Sequence, residues 1–164
     1  FFIGKDNVLR AQFAKMIMQA TGLHTPDVDN VGNPTFSDVT VFDANGYPYD
    51  FVEEAAALGI VSGFSEGTFR PYSPVTRAQL VLMITRGAVA AGEPLPEYTG
   101  NSKVFADVPT THPYYRQIMT AYTAGILSGS TGPNGRLYFH PYSSASRNHV
   151  AKMTANLVAH LEAQ

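Results

Sequence analysis

The sequence predicts a mainly α fold, in which tandem helix-loop-helix modules are arranged pseudo-threefold around a central three-helix bundle. Two observations support this prediction: an internal repeat of roughly 70 residues, and an apolar stripe at helical spacing in the second half of each repeat. With 164 residues, the chain has the length of a single domain and can bury roughly two thirds of its unfolded surface. We therefore expect all the modules to form one compact domain.

The repeat is visible in three short blocks that return in the same order. "TFSDV" (35–39) returns as "VFADV" (104–108), "GIVSG" (59–63) as "GILSG" (125–129), and "FRPYS" (69–73) as "FHPYS" (139–143). Residues 2–17 align with residues 69–84, so the chain begins with the back half of a module. The predicted divisions are a half-module 1–23, a linker 24–35, a module 36–86, a linker 87–103 and a module 104–164.

The predicted helices follow from the apolar residues inside each module. The first helix of a module ends at a glycine, Gly59 or Gly125, which we expect in the left-handed conformation with an apolar residue behind it. The second helix carries an apolar stripe on one face. The three stripes are Phe13, Met16, Ile17 and Ala20; Leu80, Met83, Ile84 and Gly87; and Val150, Met153, Leu157, Val158 and Leu161. Three such faces are most simply buried against one another, which predicts the central bundle.

The composition argues against several classes of function. The formal net charge is −2 and the 11 lysines and arginines form no run, so we expect no nucleic acid as a partner. No apolar stretch approaches the roughly 20 residues of a membrane helix, which predicts no membrane insertion. The chain has no cysteine, which excludes disulfides and thiolate metal sites.

The stretch "TRAQ" (76–79) contains one residue that helix stability does not explain. Thr76 and Gln79 match a capping box, in which each side chain bonds the backbone amide of the other residue. Arg77, at the first helical position, instead places a cation where the helix dipole is already positive. The cap is predicted to be lost in the other modules, where Leu9 replaces the threonine and His149 replaces the glutamine.

The same position is an arginine in all three modules: Arg10, Arg77 and Arg147. One interpretation is an anion receptor, because a guanidinium beside free amides at a helix N-terminus favours a carboxylate or phosphate. The other interpretation is structural, with each arginine paired to the aspartate of an F-x-D-V block, Asp38 or Asp107, so that one module is held to its neighbour. The residues alone leave both interpretations open.

The combination of these blocks resembles the S-layer homology module. The stretch "FSDV…YPYDFVEEAAALGIVSGFSEGTFRPYSPVTRAQLVLMI" is similar to the family pattern of F-x-D-V, an aromatic-rich helix start, G-I-x-x-G, a turn and T-R-A-E. The resemblance covers two whole modules and one half. It implies a pseudo-trimeric, non-catalytic domain that anchors exported proteins to the bacterial cell wall. The implied ligand is an anionic secondary wall polysaccharide that carries pyruvate ketals on N-acetylmannosamine.

The resemblance also assigns the glycan-binding residues. The acid of T-R-A-E is replaced by Gln12, Gln79 and His149, and Tyr47 stands where the family often has a stacking tryptophan. The groove of Arg77 is predicted to be the most active. The predicted glycan-binding residues are Arg77, Gln79, Asp38, Tyr47, Arg10, Gln12, Arg147 and Asp107.

The replaced acids and the missing tryptophan leave a second function open. In this alternative the grooves are degenerate, and the modules serve assembly within a surface layer, a pilus or a larger exported protein. The incomplete first module also predicts self-association, because an apolar surface without its partner favours pairing with another chain.

The sequence evidence for a catalytic or metal site is weaker than that for the grooves. "GFSEG" (63–67) matches the elbow of serine hydrolases, but it follows a helix end instead of a strand. Residues 27–38 resemble a calcium loop that has a valine at its fifth position, and we interpret them as a linker. The five histidines show no metal spacing, and Glu53 and Glu54 are predicted to be solvated. The sequence thus predicts no enzyme, no cofactor and no metal.

Overall fold

A computed structural model of the chain, which describes residues 7–25 and 32–164, is mainly helical as predicted. Its elements are α1 (Arg10–Thr21), α2 (Tyr49–Ala57), α3 (Arg77–Ala90), α4 (Tyr115–Thr123), β1 (Ser130–Thr131), β2 (Leu137–Tyr138) and α5 (Arg147–Glu162). The start of the half-module and most of the proposed calcium loop lie outside the described residues. Within the described ranges, none of the helices has the length and apolar character needed to cross a membrane.

Three helices, α1, α3 and α5, contact one another and form the centre of the domain. These are the helices with the predicted apolar stripes, and their buried side chains include Phe13, Ile17, Leu80, Ile84 and Leu157, all 0% exposed. Helix α2 packs on α1, and α4 packs on α3. The front helix of each module therefore lies against the back helix of the preceding module. The central bundle is confirmed, whereas the pseudo-threefold symmetry stays a prediction.

A ring of backbone hydrogen bonds joins the segments that precede the three central helices. The amide of Val8 donates to the carbonyl of Ala145 (3.3 Å), that of Ala145 to Val75 (2.8 Å), and that of Val75 back to Val8 (2.8 Å). The three residues are 0–1% exposed, so the ring satisfies backbone groups that would otherwise be buried without partners. This arrangement fixes the N-terminal ends of the central helices at one end of the bundle.

The front helices end as the sequence predicts. Gly59 has a φ of 72° and Gly125 a φ of 77°, which is the left-handed conformation that glycine adopts without steric cost. The next residues turn back onto the helix: the amide of Ile60 donates to Ala55 (2.8 Å), and Ile126 makes the equivalent bond. Both isoleucines are buried, so each glycine directs the following loop into the core.

The first linker is held by two carboxylates of α2 that we predicted to be solvated, and this prediction is wrong. Glu53 is 4% exposed and Glu54 is 9% exposed. Glu54 accepts hydrogen bonds from the amide of Thr25 (2.7 Å) and contacts His24 Nδ1 (2.6 Å), while Glu53 accepts from the amide of Thr35 (2.6 Å). Adjacent helical positions are both buried because the linker covers this side of α2.

The second linker begins later than predicted. Helix α3 continues to Ala90, past the expected linker start at residue 87. The following segment packs on α4: Leu95 is 7% exposed, and the amide of Tyr98 donates to the hydroxyl of Thr120 (3.0 Å). Gly87, inside this longer helix, lets α3 pack closely on α1, because a side chain there would press against Ile17.

The third module contains a short hairpin that the sequence did not predict. Strands β1 and β2 pair antiparallel, with Ser130 opposite Tyr138 and Thr131 opposite Leu137. The hairpin lies where "STGPNGRLYF" is longer than the corresponding stretch of the second module. It therefore accommodates the extra residues outside the helical core.

Candidate functional site

The start of α3 is hydrogen-bonded to a turn of the third module, residues 139–143, through both backbone and side-chain donors. We call this set of hydrogen bonds the clasp. The amide of Arg77 donates to the carbonyl of Ser143 (2.9 Å), and the amide of Ala78 donates to that of Pro141 (2.8 Å). The side-chain Nε of Arg77 donates to the carbonyl of Phe139 (2.6 Å). The first two helix amides are thus engaged, and the prediction that they are free to receive an anion is wrong.

The start of α1 makes the same clasp on the second module. Arg10 donates from Nε to the carbonyl of Phe69 (2.7 Å) and from its amide to that of Ser73 (2.9 Å), while Ala11 donates to Pro71 (2.9 Å). Three carbonyl oxygens therefore surround each of these helix starts. Their negative partial charges offset the dipole and the guanidinium charge together, which explains why arginine is tolerated at the first helical position.

The aspartates of the F-x-D-V blocks hold the turn and make no ion pair with these arginines. Asp107 accepts from the amides of Phe139 (2.9 Å) and His140 (2.8 Å), and Asp38 accepts the corresponding pair in the second module. His140 has a φ of 57°, an uncommon conformation for a residue with a side chain, and the carboxylate stabilises it. Within the described ranges, neither aspartate lies within 4.0 Å of an arginine nitrogen of the preceding helix.

Two of the three arginines are buried cations. Arg10 is 5% exposed and Arg77 is 7% exposed. Burial and, to a smaller extent, the charge of Arg70 lower the pKa of Arg10 to about 10, against the opposing effect of Asp38. Burial also lowers the pKa of Arg77, against the opposing effect of Asp107. Arginine stays protonated at neutral pH, so each of these two side chains places a positive charge in a largely buried position.

The terminal nitrogens of these arginines have few hydrogen-bond acceptors among the described residues. Among the described residues, Arg77 forms no side-chain hydrogen bond besides the one from Nε. For Arg10, Nη2 makes only a 3.5 Å contact with the carbonyl of Ser62. Each guanidinium also lies over a phenylalanine ring, Phe139 or Phe69, with its central carbon 4.7 and 4.5 Å from the ring centre. The Nε edge of each guanidinium is therefore fixed, and the terminal nitrogens of Arg77 have no hydrogen-bond partner among the described residues.

The Arg77 groove has a volume of about 330 Å³ and lies between the start of α3 and the third module, including α5. Its other charged or titratable residues are His140, His149 and Lys152, and residues 126–130 form one wall. Gln79, Asp38 and Tyr47, which the sequence analysis placed in the same module, do not line it.

The Arg10 groove, of about 180 Å³, is the equivalent groove one module earlier. It is lined by residues 61–64, by Gln79, Leu82, Met83 and Arg86 of α3, and by Tyr114 at the edge of the third module. This groove combines an arginine, the G-I-V-S-G loop, a residue at the third helical position and an aromatic ring. This set of parts is more complete than in the Arg77 groove or in the groove of Arg147, which is described next.

A third groove, of about 350 Å³, contains Arg147 together with Gln12, Lys15 and Tyr47. Arg147 is exposed, and no described residue forms with it the clasp seen at Arg10 and Arg77. The ammonium of Lys15 lies 5.7 Å from the centre of the Tyr47 ring, so a cation already lies over that ring. The predicted residues are thus distributed among three grooves, and each groove combines an arginine from one central helix with a polar residue from another.

The cap at the third helical position is kept in all three modules, contrary to our prediction. Gln12 Oε1 accepts from the amide of Leu9 (2.9 Å), Gln79 Oε1 from that of Thr76 (3.0 Å), and His149 Nδ1 from that of Ser146 (3.3 Å). Each glutamine therefore keeps its amide nitrogen as a donor for the groove.

His149 supplies a neutral donor to the Arg77 groove. Because its Nδ1 accepts a backbone hydrogen bond, the proton of the neutral ring resides on Nε2. Burial lowers the pKa of His149, and the positive charges of Arg77 and Lys152 lower it further. The ring is thus neutral at pH 7.

Sequence reasoning missed Arg86, Tyr114, Lys152 and the two G-I-x-S-G loops as groove residues. The loops had a signal, because "GIVSG" and "GILSG" repeat with a polar residue that the helix end does not require. Lys152 had a weaker sequence signal: it lies one helical turn after His149 and therefore on the same face of the helix. Among the described residues, no group of three or more histidines and carboxylates is arranged to hold a metal.

Comparisons with known proteins agree with this architecture. A sequence profile described as the S-layer homology domain matches residues 35–81 and 104–138. The chain is 30% identical over 127 residues to an endoglucanase of Bacillus sp. (strain KSM-635), covering 77% of this chain and 12% of that protein. It is 30% identical over 124 residues to cell surface glycoprotein 1 of Acetivibrio thermocellus, covering 70% of this chain and 5% of that protein.

A surface layer protein of Brevibacillus choshinensis is 37% identical over 85 residues, which cover 52% of this chain and 7% of that protein. The chain thus spans only a small part of each of these longer relatives, including the one named as an enzyme. It belongs to the S-layer homology domain family, whose members are non-catalytic modules that attach extracellular proteins to the cell surface.

Proposed function

We propose that the chain anchors its parent protein to the bacterial cell wall by binding an anionic, pyruvylated secondary wall polysaccharide in the grooves between modules. One observation carries this proposal. Arg10 and Arg77 are buried cations whose terminal nitrogens lack an anionic partner among the described residues and lie in grooves of a suitable size. S-layer homology domains in general bind cell-wall polysaccharide, and the pyruvylated ligand is the finer part of the proposal.

A pyruvate ketal supplies the group that such a groove lacks. It is a carboxylate fixed to a sugar ring, and a carboxylate accepts two parallel hydrogen bonds from the free edge of a guanidinium. Little reorganisation is needed, because the bond from Nε to the turn carbonyl already holds each guanidinium in place. Additional donors stand nearby, Lys152 and His149 in the Arg77 groove and Gln79 and Arg86 in the Arg10 groove.

The predicted glycan residues take different parts in this proposal. Asp38 and Asp107 act as positioning residues, because their carboxylates hold the turn that each arginine clasps. Tyr47 and Gln12 belong with Arg147, whose groove would add avidity on a repeating polymer.

Calorimetric titration with a soluble pyruvylated N-acetylmannosamine glycan tests the proposal, beside the same glycan without its ketal. Binding of the pyruvylated form alone is expected. The variant Lys152→Ala should weaken that binding, because it removes a cation from the Arg77 groove without touching the clasp. Arg136→Ala is the matched control, since Arg136 is exposed on the hairpin and lines none of the grooves described above. Equal affinity for both glycans would refute the pyruvylated ligand.

The clasp itself favours the alternative function, a module for structural assembly. Arg10 and Arg77 join neighbouring modules through Nε, which is a structural role independent of any glycan. In this alternative the folded protein binds neither glycan, and it does not sediment with purified cell walls whether or not their ketals have been removed.

Self-association is proposed from one face of α5. Ala78 and Val81 of α3 are buried, whereas Asn148 and Ala151, at the equivalent positions of α5, are exposed. Among the described helices, only α1 and α3 contact α5. A second chain would cover this face, and light scattering over a concentration series tests whether it does.

A further inference from the structure

Two exposed tyrosines stand at equivalent positions of the two complete modules. Tyr142 is 68% exposed and Tyr72 is 60% exposed, and each follows the proline of an F-x-P-Y-S turn. Isolated exposed aromatics need no explanation, so what distinguishes these two tyrosines is which other rings and grooves lie beside each of them.

Tyr142 belongs to a cluster of three rings on the surface of the third module. Its hydroxyl lies 3.0 Å from His112 Nε2, and the two ring centres are 5.6 Å apart. The ring of Tyr114 is 5.8 Å from that of His112. Because His112 Nδ1 accepts from the amide of Tyr114 (3.0 Å), Nε2 carries the proton of the neutral ring and donates to Tyr142. These bonds hold the His112 ring between the Tyr142 hydroxyl and the backbone of Tyr114, with the ring of Tyr114 beside it.

This cluster connects the two grooves that contain buried arginines. Tyr114 lines the Arg10 groove. At the other end of the cluster, Tyr142 lies in the chain between His140 and Ser143, which line the Arg77 groove. The turn that carries Tyr142 is bonded to the start of α3, which separates the grooves. Since α3 supplies Arg77 to one groove and Gln79 to the other, the grooves are about one helix diameter apart, roughly 10 Å.

We propose that Tyr114, His112 and Tyr142 form a stacking strip on which one polysaccharide strand passes from the Arg10 groove to the Arg77 groove. This inference rests on the proposed function and adds that a single strand fills both grooves. The occupant of the strip is the sugar between two acidic residues of the same strand. It needs no charge of its own, because the strip offers aromatic faces and tyrosine hydroxyls.

The chemistry of a sugar ring suits this surface. The face of a pyranose carries C–H bonds with partial positive charge, which pack on the negative face of an aromatic ring. Its rim carries hydroxyls, and the Tyr142 hydroxyl, which accepts from His112 Nε2, keeps its own proton to donate to one of them. The restraints within the cluster reduce the entropy that the rings lose when a sugar binds.

The second module offers an incomplete version of the strip. Its exposed Tyr72 is close enough to Tyr47 to contribute, after burial, to raising the pKa of the Tyr47 phenol. That pair leads towards the Arg147 groove, where no described segment supplies a G-I-x-S-G loop or a turn that the arginine clasps. Tyr72 therefore provides a chemically matched control for Tyr142.

The test uses pyruvylated wall polysaccharide that has been partially hydrolysed and fractionated by length. Fragments with one pyruvylated N-acetylmannosamine fill one groove, and longer fragments with two such residues reach both grooves. The longer fragments are expected to bind about 100-fold more tightly or better, which is the range for linked sites that match the span. In Tyr142→Ala, their affinity should fall roughly tenfold, as for the loss of one stacked aromatic contact, while the short fragments keep theirs.

Three controls separate the strip from a structural effect. Tyr142→Phe keeps the ring and should retain most of the affinity for long fragments. Tyr72→Ala should change neither affinity by more than about twofold. The midpoint of thermal unfolding should be nearly unchanged in all three variants, because both side chains are mostly in water.

The outcomes distinguish this inference from the proposed function. If short and long fragments bind with equal affinity, or if Tyr142→Ala weakens both equally, no strand crosses the strip and the inference is refuted while groove binding stands. If the wild-type chain binds no fragment, the proposed function fails and the strip fails with it.

Discussion

The three arginines at the first helical position allow an internal test of the clasp, because within residues 7–25 and 32–164 only Arg10 and Arg77 make it. Arg77→Ala removes a 2.6 Å hydrogen bond from a charged group and a contact with the face of Phe139 at 4.7 Å. A hydrogen bond from a charged group stabilises a fold by about 1.5–3 kcal/mol, and a contact between a cation and an aromatic face by about 0.5–2 kcal/mol. Removing a buried cation with a lowered pKa recovers part of this loss. We therefore expect the free energy of unfolding to fall by about 2–3 kcal/mol.

Arg147→Ala is the matched control, since Arg147 holds the same helical position, is exposed and has no described clasp. It should change the free energy of unfolding by less than about 0.5 kcal/mol. Urea titrations of both variants measure the difference, and the slope with denaturant should be the same as in the wild type. For a domain of this length, the loss in Arg77→Ala corresponds to a thermal midpoint lowered by roughly 5–10 °C. Equal stability of the two variants would show that the clasp contributes nothing and would refute this reasoning.

Three further predictions concern local structure. Thr76→Ala removes the hydroxyl that accepts from the amide of Gln79, and it should lower the free energy of unfolding by about 1 kcal/mol in urea titration. Gly59→Ala places a side chain at a φ of 72°, where nothing crowds it, so the left-handed conformation alone should cost about 1–2 kcal/mol by the same assay. The pKa of His149 is lowered from 6.5 in the fold, so the unfolded chain binds the proton first and stability should decline as the pH falls below about 6.5. His149→Gln, which keeps a capping side chain, should reduce this pH dependence of the thermal midpoint, and an unchanged dependence would contradict the assignment.

The sequence predicted the helices well because their determinants are local. An apolar stripe, a glycine at a helix end and a threonine with a glutamine three positions later each act within a few residues. The repeat then supplied the tertiary information, since three equivalent stripes have few ways to be buried other than against one another. The central contact of α1, α3 and α5 follows from this argument.

The sequence did not predict which residues share a groove, and the reason is geometric. Arg77 and Gln79 are neighbours in the motif, but residues two apart on a helix point to different sides. Each therefore faces a different groove and meets residues from a different module. A motif written along the chain joins residues that the fold separates.

The burial of Glu53 and Glu54 was missed for a related reason. Two adjacent carboxylates on a helix normally face water, and no pattern in the helix itself indicates a covering segment. The linker provides that cover through the backbone amides of Thr25 and Thr35, which are invisible to reasoning about side-chain types. The same limitation applies to the clasp, where the partners of Arg10 and Arg77 are carbonyl oxygens.

The two interpretations of the arginines are compatible because they use different atoms of one side chain. Nε holds the turn of the next module, and the terminal nitrogens remain for a ligand. A guanidinium is planar and rigid, so the bond at Nε also determines where the terminal nitrogens point. If a neighbouring module undocks, the turn carbonyl is lost and the receptor loses its orientation. A ligand that binds only the docked state must in turn stabilise docking, by about 2.7 kcal/mol when its free concentration is 100 times the dissociation constant. Attachment to the wall would then strengthen the contacts between modules, and a chain with undocked modules would be released from it.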